Sequence, residues 1–183
     1  MILNIFGPSG SGKTTLIKNL LRTNKLQTFY KKYVFNYQIK KNKIFKTSLS
    51  LIPLPLYRGK INEFLEIYNL TPDNFDNLKP ELYKLTKSIM INKLENNLKT
   101  FFNRDLETLS AGEMRRFFIL KCLLLEADIL IIDEPFSNSD NSLMKTIFEA
   151  IKIYENTIIL SHLPIEKFFE LEKSIISLNI KNL

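Results

Sequence analysis

Aspartate and glutamate are absent from the first 62 residues, which carry 12 lysines and arginines. The remainder holds 14 basic and 19 acidic side chains, so the overall charge of +7 conceals a basic third followed by a mildly acidic rest. Such a field attracts nucleotide, anionic lipid headgroups or nucleic acid, and in a lysine-rich chain it is also what a plain solvated surface presents. Cysteine occurs once, as Cys122 in an apolar helical pattern. That excludes an internal disulfide and suits a packing role in a reducing, cytosolic compartment. No run of about 18 apolar residues is present, which excludes a membrane-spanning helix. The N-terminus reads as a short strand rather than a secretory leader. Histidine occurs once, at His162, and glutamine twice, at Gln27 and Gln38. Internal repeats and low-complexity linkers are lacking, and 183 residues suit a single domain with its own core.

What is present centres on Gly7-Pro8-Ser9-Gly10-Ser11-Gly12-Lys13-Thr14-Thr15, which fits G-x-x-x-x-G-K-[ST] without a mismatch. Met1 to Phe6 ahead of it is apolar and β-favouring, and Thr14 to Leu21 behind it spaces Leu16, Ile17, Leu20 and Leu21 as a helix does. Strand, glycine-rich loop and helix make a phosphate site: glycines at positive φ turn N–H groups inward at a helix N-terminus. Gly7, Gly10 and Gly12 are expected to take those conformations. Lys13 then reaches the β- and γ-phosphates, and the Thr14 hydroxyl ligates Mg²⁺.

Lys31 to Leu54 reads as β structure, with Val34–Ile39 and Ile44–Leu51 split by a basic turn and closed by Pro53 and Pro55. Ile61 to Tyr68 and Pro80 to Phe102 read as helices. Leu109-Ser110-Ala111-Gly112-Glu113 opens a helix running to about Glu126. Ser110 and Glu113 match a capping box, and such a helix start is equally a second place to offer N–H groups to phosphate. Ile129 to Ile132 has the length and composition of a buried parallel strand, ending in Asp133-Glu134 where an open α/β sheet keeps its ligand crevice. Asp133 there can hold Mg²⁺, and Glu134 can orient or deprotonate water. Ser137-Asn138-Ser139-Asp140 caps a helix from about Asn141 to Tyr154. Thr157 to Leu160 is another buried strand, ending at Ser161-His162, where the imidazole can hydrogen-bond a γ-phosphate. An edge strand follows at Ser174–Leu178.

In this order and spacing the motifs resemble those of the ATP-binding-cassette (ABC) ATPases over nearly the whole chain. Gly7–Thr15 matches the family's Walker A loop. Leu109–Glu113 is similar to its Leu-Ser-Gly-Gly-Gln signature, with Ala111 and Glu113 substituted, and Ile129–Glu134 matches Walker B with its catalytic glutamate. Ser137–Asp140 resembles the D-loop and His162 the switch histidine. The resemblance implies an α/β P-loop NTPase with a mainly parallel sheet. A helical subdomain, at about residues 60–110, is inserted between Walker A and the signature within one ATPase domain spanning 1–183.

It also implies ATP and Mg²⁺ as cofactors, hydrolysis by Glu134 with His162, and metal contact by Thr14 and Asp133. Two cassettes, here two copies of one chain, pair so that Leu109–Glu113 of one closes over ATP on the other, with Asp140 in the D-loop. The expected partner is an integral membrane transport protein, most simply an exporter, with the cassette cytoplasmic on the inner face of the membrane. Leu51–Glu63 resembles the segment exporters present to their membrane domains. Two departures stand out. The stretch Leu51–Gly59 lacks the Q-loop glutamine, from which slow turnover is expected, and Lys13 comes too early for the strands ahead of Walker A that carry the family's adenine-stacking aromatic. Two other functions fit parts of the chain: a soluble cassette acting on nucleic acid or ribosomes through its basic, aromatic first third, and a non-hydrolysing ATP-dependent dimer switch.

Overall fold

The computed structural model of the protein describes residues 1–34, 47–50, 58–71, 78–89, 98–125, 129–137, 139–154, 156–167, 169 and 175–183. They fall into two compact units, one of Met1–Leu49, Ala127–Pro135 and Lys152–Leu183, the other of Ser50–Glu126 and Phe136–Ile151.

The first unit is built on a sheet. Strand β1 (Ile2–Phe6) leads through the glycine loop into α1 (Lys13–Arg22), and α2 (Leu26–Tyr33) follows. Strands β2 (Thr47–Ser50), β3 (Ile129–Asp133), β4 (Thr157–Ser161) and β5 (Ile175–Asn179) complete a sheet of order β2-β3-β4-β1-β5. β1 runs parallel to β4 and β5, and β3 runs parallel to β4. The apolar strands β1, β3 and β4 are buried almost end to end, as strands covered on both faces are, while edge strand β5 is only partly buried. Register aligns Phe6 with Ser161 and Asp133 with Leu160, so the strands finish level with one another. Side chains of Leu3, Ile5, Ile17, Leu26, Tyr30, Ile131 and Ile158 form the core of this unit.

Residues 31–33 are helical, which corrects the β reading of Lys31–Leu54 at its start. Leu26, Phe29, Tyr30, Tyr33 and Val34 recur at three- and four-residue steps, which is the period of a helix face. Leu26, Tyr30 and Val34 on that face are buried, and the Tyr30 hydroxyl donates to the Met1 carbonyl at 3.0 Å. Thr47–Ser50 is a strand, as expected within Ile44–Leu51. Residues 35–46 and most of the proline-rich stretch, 51–57, lie outside the described residues.

α1 ends without a glycine. Asn24 takes the left-handed conformation (φ 55°), its N–H bonding to Leu21 and that of Lys25 to Leu20, a pattern that satisfies the helix's last carbonyls. In the second unit Asn69 (φ 55°) does the same behind α3 (Ile61–Glu66), with the Asn69 and Leu70 N–H groups on the Glu66 and Leu65 carbonyls. With five glycines in 183 residues, three of them in the phosphate loop, asparagine takes over this role.

The regular elements of the second unit are helices α3, α4 (Pro80–Ile89), α5 (Leu98–Phe102), α6 (Ala111–Leu124) and α7 (Asn141–Lys152). α6 is its centre. From Met114 to Leu123 all its residues but Arg115 are buried, so it is covered all round. Phe64, Phe101, Phe117 and Phe118 meet about it at ring separations of 5.5 to 6.4 Å. Lys121 lies buried within this unit, its ammonium 4.1 Å from the Tyr68 ring centre and 5.1 Å from that of Phe118. Residues 90–97, in the expected helix Pro80–Phe102, lie outside the described residues.

Candidate functional site

The level strand ends bring three loops to one edge of the sheet. The Gly7 N–H donates to the Ser161 carbonyl at 3.1 Å and the Glu134 N–H to the Leu160 carbonyl at 2.9 Å, so the loop after β1 and the residue after β3 are both stitched to β4. The glycine loop itself turns on Gly10 (φ 75°) and Gly12 (φ 92°), which have the conformations expected of them. Gly7 does not, and the reason it is glycine is space: a Cβ there would collide with the Ile180 side chain and press on Ser11 Oγ.

Gly12 caps α1 with no side-chain acceptor, and no acidic residue stands in the first turn. The free N–H groups and the positive end of the helix are therefore left to an external anion. Lys13 is 6% exposed; its ammonium donates to the Gly7 carbonyl at 2.7 Å and the Pro8 carbonyl at 3.1 Å and stands 3.6 Å from Glu134 Oε1. Ser11 Oγ is buried with no hydrogen-bond partner among the described residues, a donor placed for a ligand oxygen. Pro8, Ser9, Gly10 and Thr15 face solvent.

The Thr14 hydroxyl donates to Asp133 Oδ2 at 2.6 Å. A hydroxyl and a carboxylate converging in this way are hard oxygen donors of the kind Mg²⁺ takes alongside phosphate oxygens. Among the described residues no group of three or more His, Cys, Asp and Glu side chains forms a cluster that could hold a metal. Glu134 is partly buried, with Oε1 3.5 Å from Nε2 of the half-exposed His162. Its backbone is in the left-handed region (φ 51°), where a non-glycine residue is strained by about 1–3 kcal/mol. Lys13, Thr14, Asp133, Glu134 and His162, drawn from three places in the sequence, are thus assembled within one unit.

The signature-like residues belong to the second unit. Leu109 is buried, Ser110, Ala111 and Gly112 are exposed, and Glu113 is partly covered. The capping box is formed: the Glu113 N–H donates to Ser110 Oγ at 3.3 Å and the Ser110 N–H to Glu113 Oε2 at 2.7 Å. Asp140 caps α7, its Oδ1 accepting the Leu143 N–H at 2.8 Å; Asn138 lies outside the described residues.

Motif reading passed over Arg115 and Arg116, two adjacent cations on the mostly buried helix α6. Arg115 Nη1 donates to the Ser137 carbonyl at 2.7 Å. Burial lowers the Arg116 pKa, while the carboxylates of Glu113 and Asp140 act to raise it. Asn4, a polar residue inside apolar β1, was passed over too; it lies at the root of the site.

Comparison with known proteins gives the family and the fold. The family model described as ABC transporter matches residues 1–137. The spermidine/putrescine import ATP-binding protein PotA of Mycoplasma mycoides subsp. mycoides SC is 28% identical over 159 residues, covering 82% of this chain and 42% of PotA. The zinc import ATP-binding protein ZnuC of Wolbachia pipientis wMel is 30% identical over 150 residues, covering 82% of this chain and 55% of ZnuC. The chain thus spans about half the length of these relatives. A solved ATP-binding subunit of an ABC transporter superposes with a TM-score of 0.63 at 17% identity, over 98% of this chain and 75% of that one, a likeness of fold.

Proposed function

Because the chain belongs to the ABC transporter family, we propose that it is the ATP-hydrolysing cassette of a membrane transporter, binding Mg-ATP on Gly7–Thr15 and releasing ADP and phosphate. The observation that carries this reading is the assembly of Lys13, Thr14, Asp133, Glu134 and His162 at one end of one parallel sheet, beside an uncapped helix N-terminus. Lys13, now on its own loop's carbonyls, exchanges them for the β- and γ-phosphates. The α1 N–H groups and Ser11 bind phosphate oxygens. Thr14 and Asp133 would hold Mg²⁺, which when bound would supply neutralisation of charge on the transferred group. Glu134 orients the attacking water and accepts its proton, and His162 hydrogen-bonds the γ-phosphate. Leu109–Glu113 acts on the nucleotide of a second copy, with Asp140 at that junction. Turnover is slow, given that Leu51–Gly59 contains no glutamine.

Among the described residues no helix is long and apolar enough to cross a membrane, and the partner proposed for the cassette is an integral membrane transport protein. Leu51–Glu63 favours export, and the names of the relatives, import of polyamine and of zinc, favour uptake. Transport into or out of sealed vesicles carrying the co-purified membrane protein decides between them. A second reading, action on nucleic acid, has one observation behind it: Lys18, Arg22, Lys25, Lys31 and Lys32 are all exposed on α1, α2 and the link between them.

Glu134→Gln tests the reading. Loss of the general base is expected to lower ATP turnover about 10²- to 10⁴-fold with Mg-ATP affinity retained. In mild detergent with Mg-ATP, the tagged variant is expected to co-purify with an integral membrane protein. Unchanged turnover would remove Glu134 from its role, and recovery of RNA or ribosomes would put the second reading in place of the first.

A further inference from the structure

We infer that Asn4 is the positioning residue for His162, an inference that rests on the hydrolytic reading above. Asn4 is fully buried in β1, between β4 and β5. A primary amide there has two donors and two acceptor positions to satisfy; both donors and at least one acceptor position are met. Nδ2 donates to the Ile159 carbonyl at 3.1 Å and to Ser161 Oγ at 2.8 Å. Oδ1 accepts the Ile165 N–H at 3.1 Å and lies 3.1 Å from Ser177 Oγ, whose hydroxyl is also 2.6 Å from Glu166 Oε2. The orientation of the amide is unambiguous, since the Ile159 carbonyl can only accept and the Ile165 N–H can only donate.

These bonds hold the chain on both sides of His162. Ser161 precedes it, and Ile165 opens the short 3₁₀ turn after it, Ile165–Lys167. Ser161 Oγ passes the anchorage on by donating to the Leu163 carbonyl at 2.6 Å, which closes the backbone around His162. The Ser161 carbonyl receives the Gly7 N–H at 3.1 Å, which ties the first residue of the glycine loop to the same point. His162 is half exposed, with Glu134 Oε1 3.5 Å away, so its position follows from its backbone more than from side-chain packing. That backbone hangs on one buried amide. Asn4 touches no substrate; it sets where the imidazole stands relative to Glu134.

The test is a double-mutant cycle of Ser161→Ala and His162→Ala in the full chain, with Asn4→Leu as a further single variant. Displacing the imidazole is expected to lower kcat about tenfold to a hundredfold for Ser161→Ala and for Asn4→Leu. KM for ATP is expected to stay within about threefold, because Lys13 and the helix N-terminus are untouched. On the His162→Ala background, Ser161→Ala is expected to cost nothing more; losses that multiply, or a rise in KM at constant kcat, overturn the proposal. Should Asn4→Leu fail to fold, the Ser161 cycle stands without it. The chain's single histidine also gives a single imidazole Cε1–H NMR signal. Ser161→Ala is expected to shift or broaden that signal, and Thr86→Val, at a buried hydroxyl bonded within α4, to leave it in place. An unmoved signal in Ser161→Ala also overturns the proposal. A wild-type chain that binds Mg-ATP without turning it over would refute the hydrolytic reading alone, and the NMR comparison would then decide the role of Asn4.

Discussion

Glu134 and Cys122 show how one side chain's surroundings set its chemistry. Glu134 has a left-handed backbone with its N–H bonded to β4, and its carboxylate stands between Lys13 and His162. Cys122 is buried on α6, where desolvation pushes its thiol from 9.0 up to about 11, with Lys121 acting in the opposite sense. At pH 7 it is an unreactive thiol. Iodoacetamide is expected to label it only after denaturant has opened the fold. Below pH 9.0 the thiol is protonated in both states and makes stability no more pH-dependent. Between 9.0 and about 11 the unfolded chain ionises it and the folded chain does not, so stability falls as pH rises and levels off above. Relative to Cys122→Ala, the slope in that window is expected to approach about 1.4 kcal/mol per pH unit in denaturant titrations. Both residues were visible in the sequence. The apolar helical pattern around Cys122 already pointed to its packing, whereas the strain at Glu134 was not legible.

At the scale of elements, spacing decided what composition misread. The aromatics Tyr33, Phe35 and Tyr37 alternate as a strand's do, yet residues 26–33 are helical, because Leu26, Tyr30 and Val34 bury on one side only at the helical period. Local β-propensity lost to a core offered by α1 and the sheet. Helix ends were legible where a side chain makes the cap, as at Ser110 and Asp140. They were not where asparagine replaces glycine, since asparagine has many other uses. Asn24→Ala is expected to destabilise the protein by about 1 kcal/mol, the cost of placing a β-carbon in the left-handed region without asparagine's local compensation. Asn24→Gly is expected to be no less stable than the wild type. Chemical denaturation of the three proteins checks both.

On the scale of the whole molecule, a ligand bound only by the folded state must stabilise it. Mg-ATP at a hundred times its Kd is expected to add about 2.7 kcal/mol, which for a chain of this size raises Tm by about 5–10 °C. Lys13→Ala is expected to abolish the shift in a thermal melt, since the helix N-terminus alone offers only a partial charge. A shift that survives the substitution would move the nucleotide elsewhere. The sequence by itself determined the phosphate loop, the acidic end of β3, the capped start of α6 and the family, because each depends on residues adjacent in the chain whose backbone chemistry is local. Only the tertiary structure decided that β1, β3 and β4 end level, that Gly7 is glycine for want of room beside Ile180, and that Asn4 holds the turn carrying His162. Those are contacts between residues far apart in the chain, and strand register, which no local pattern encodes, is what brings them together.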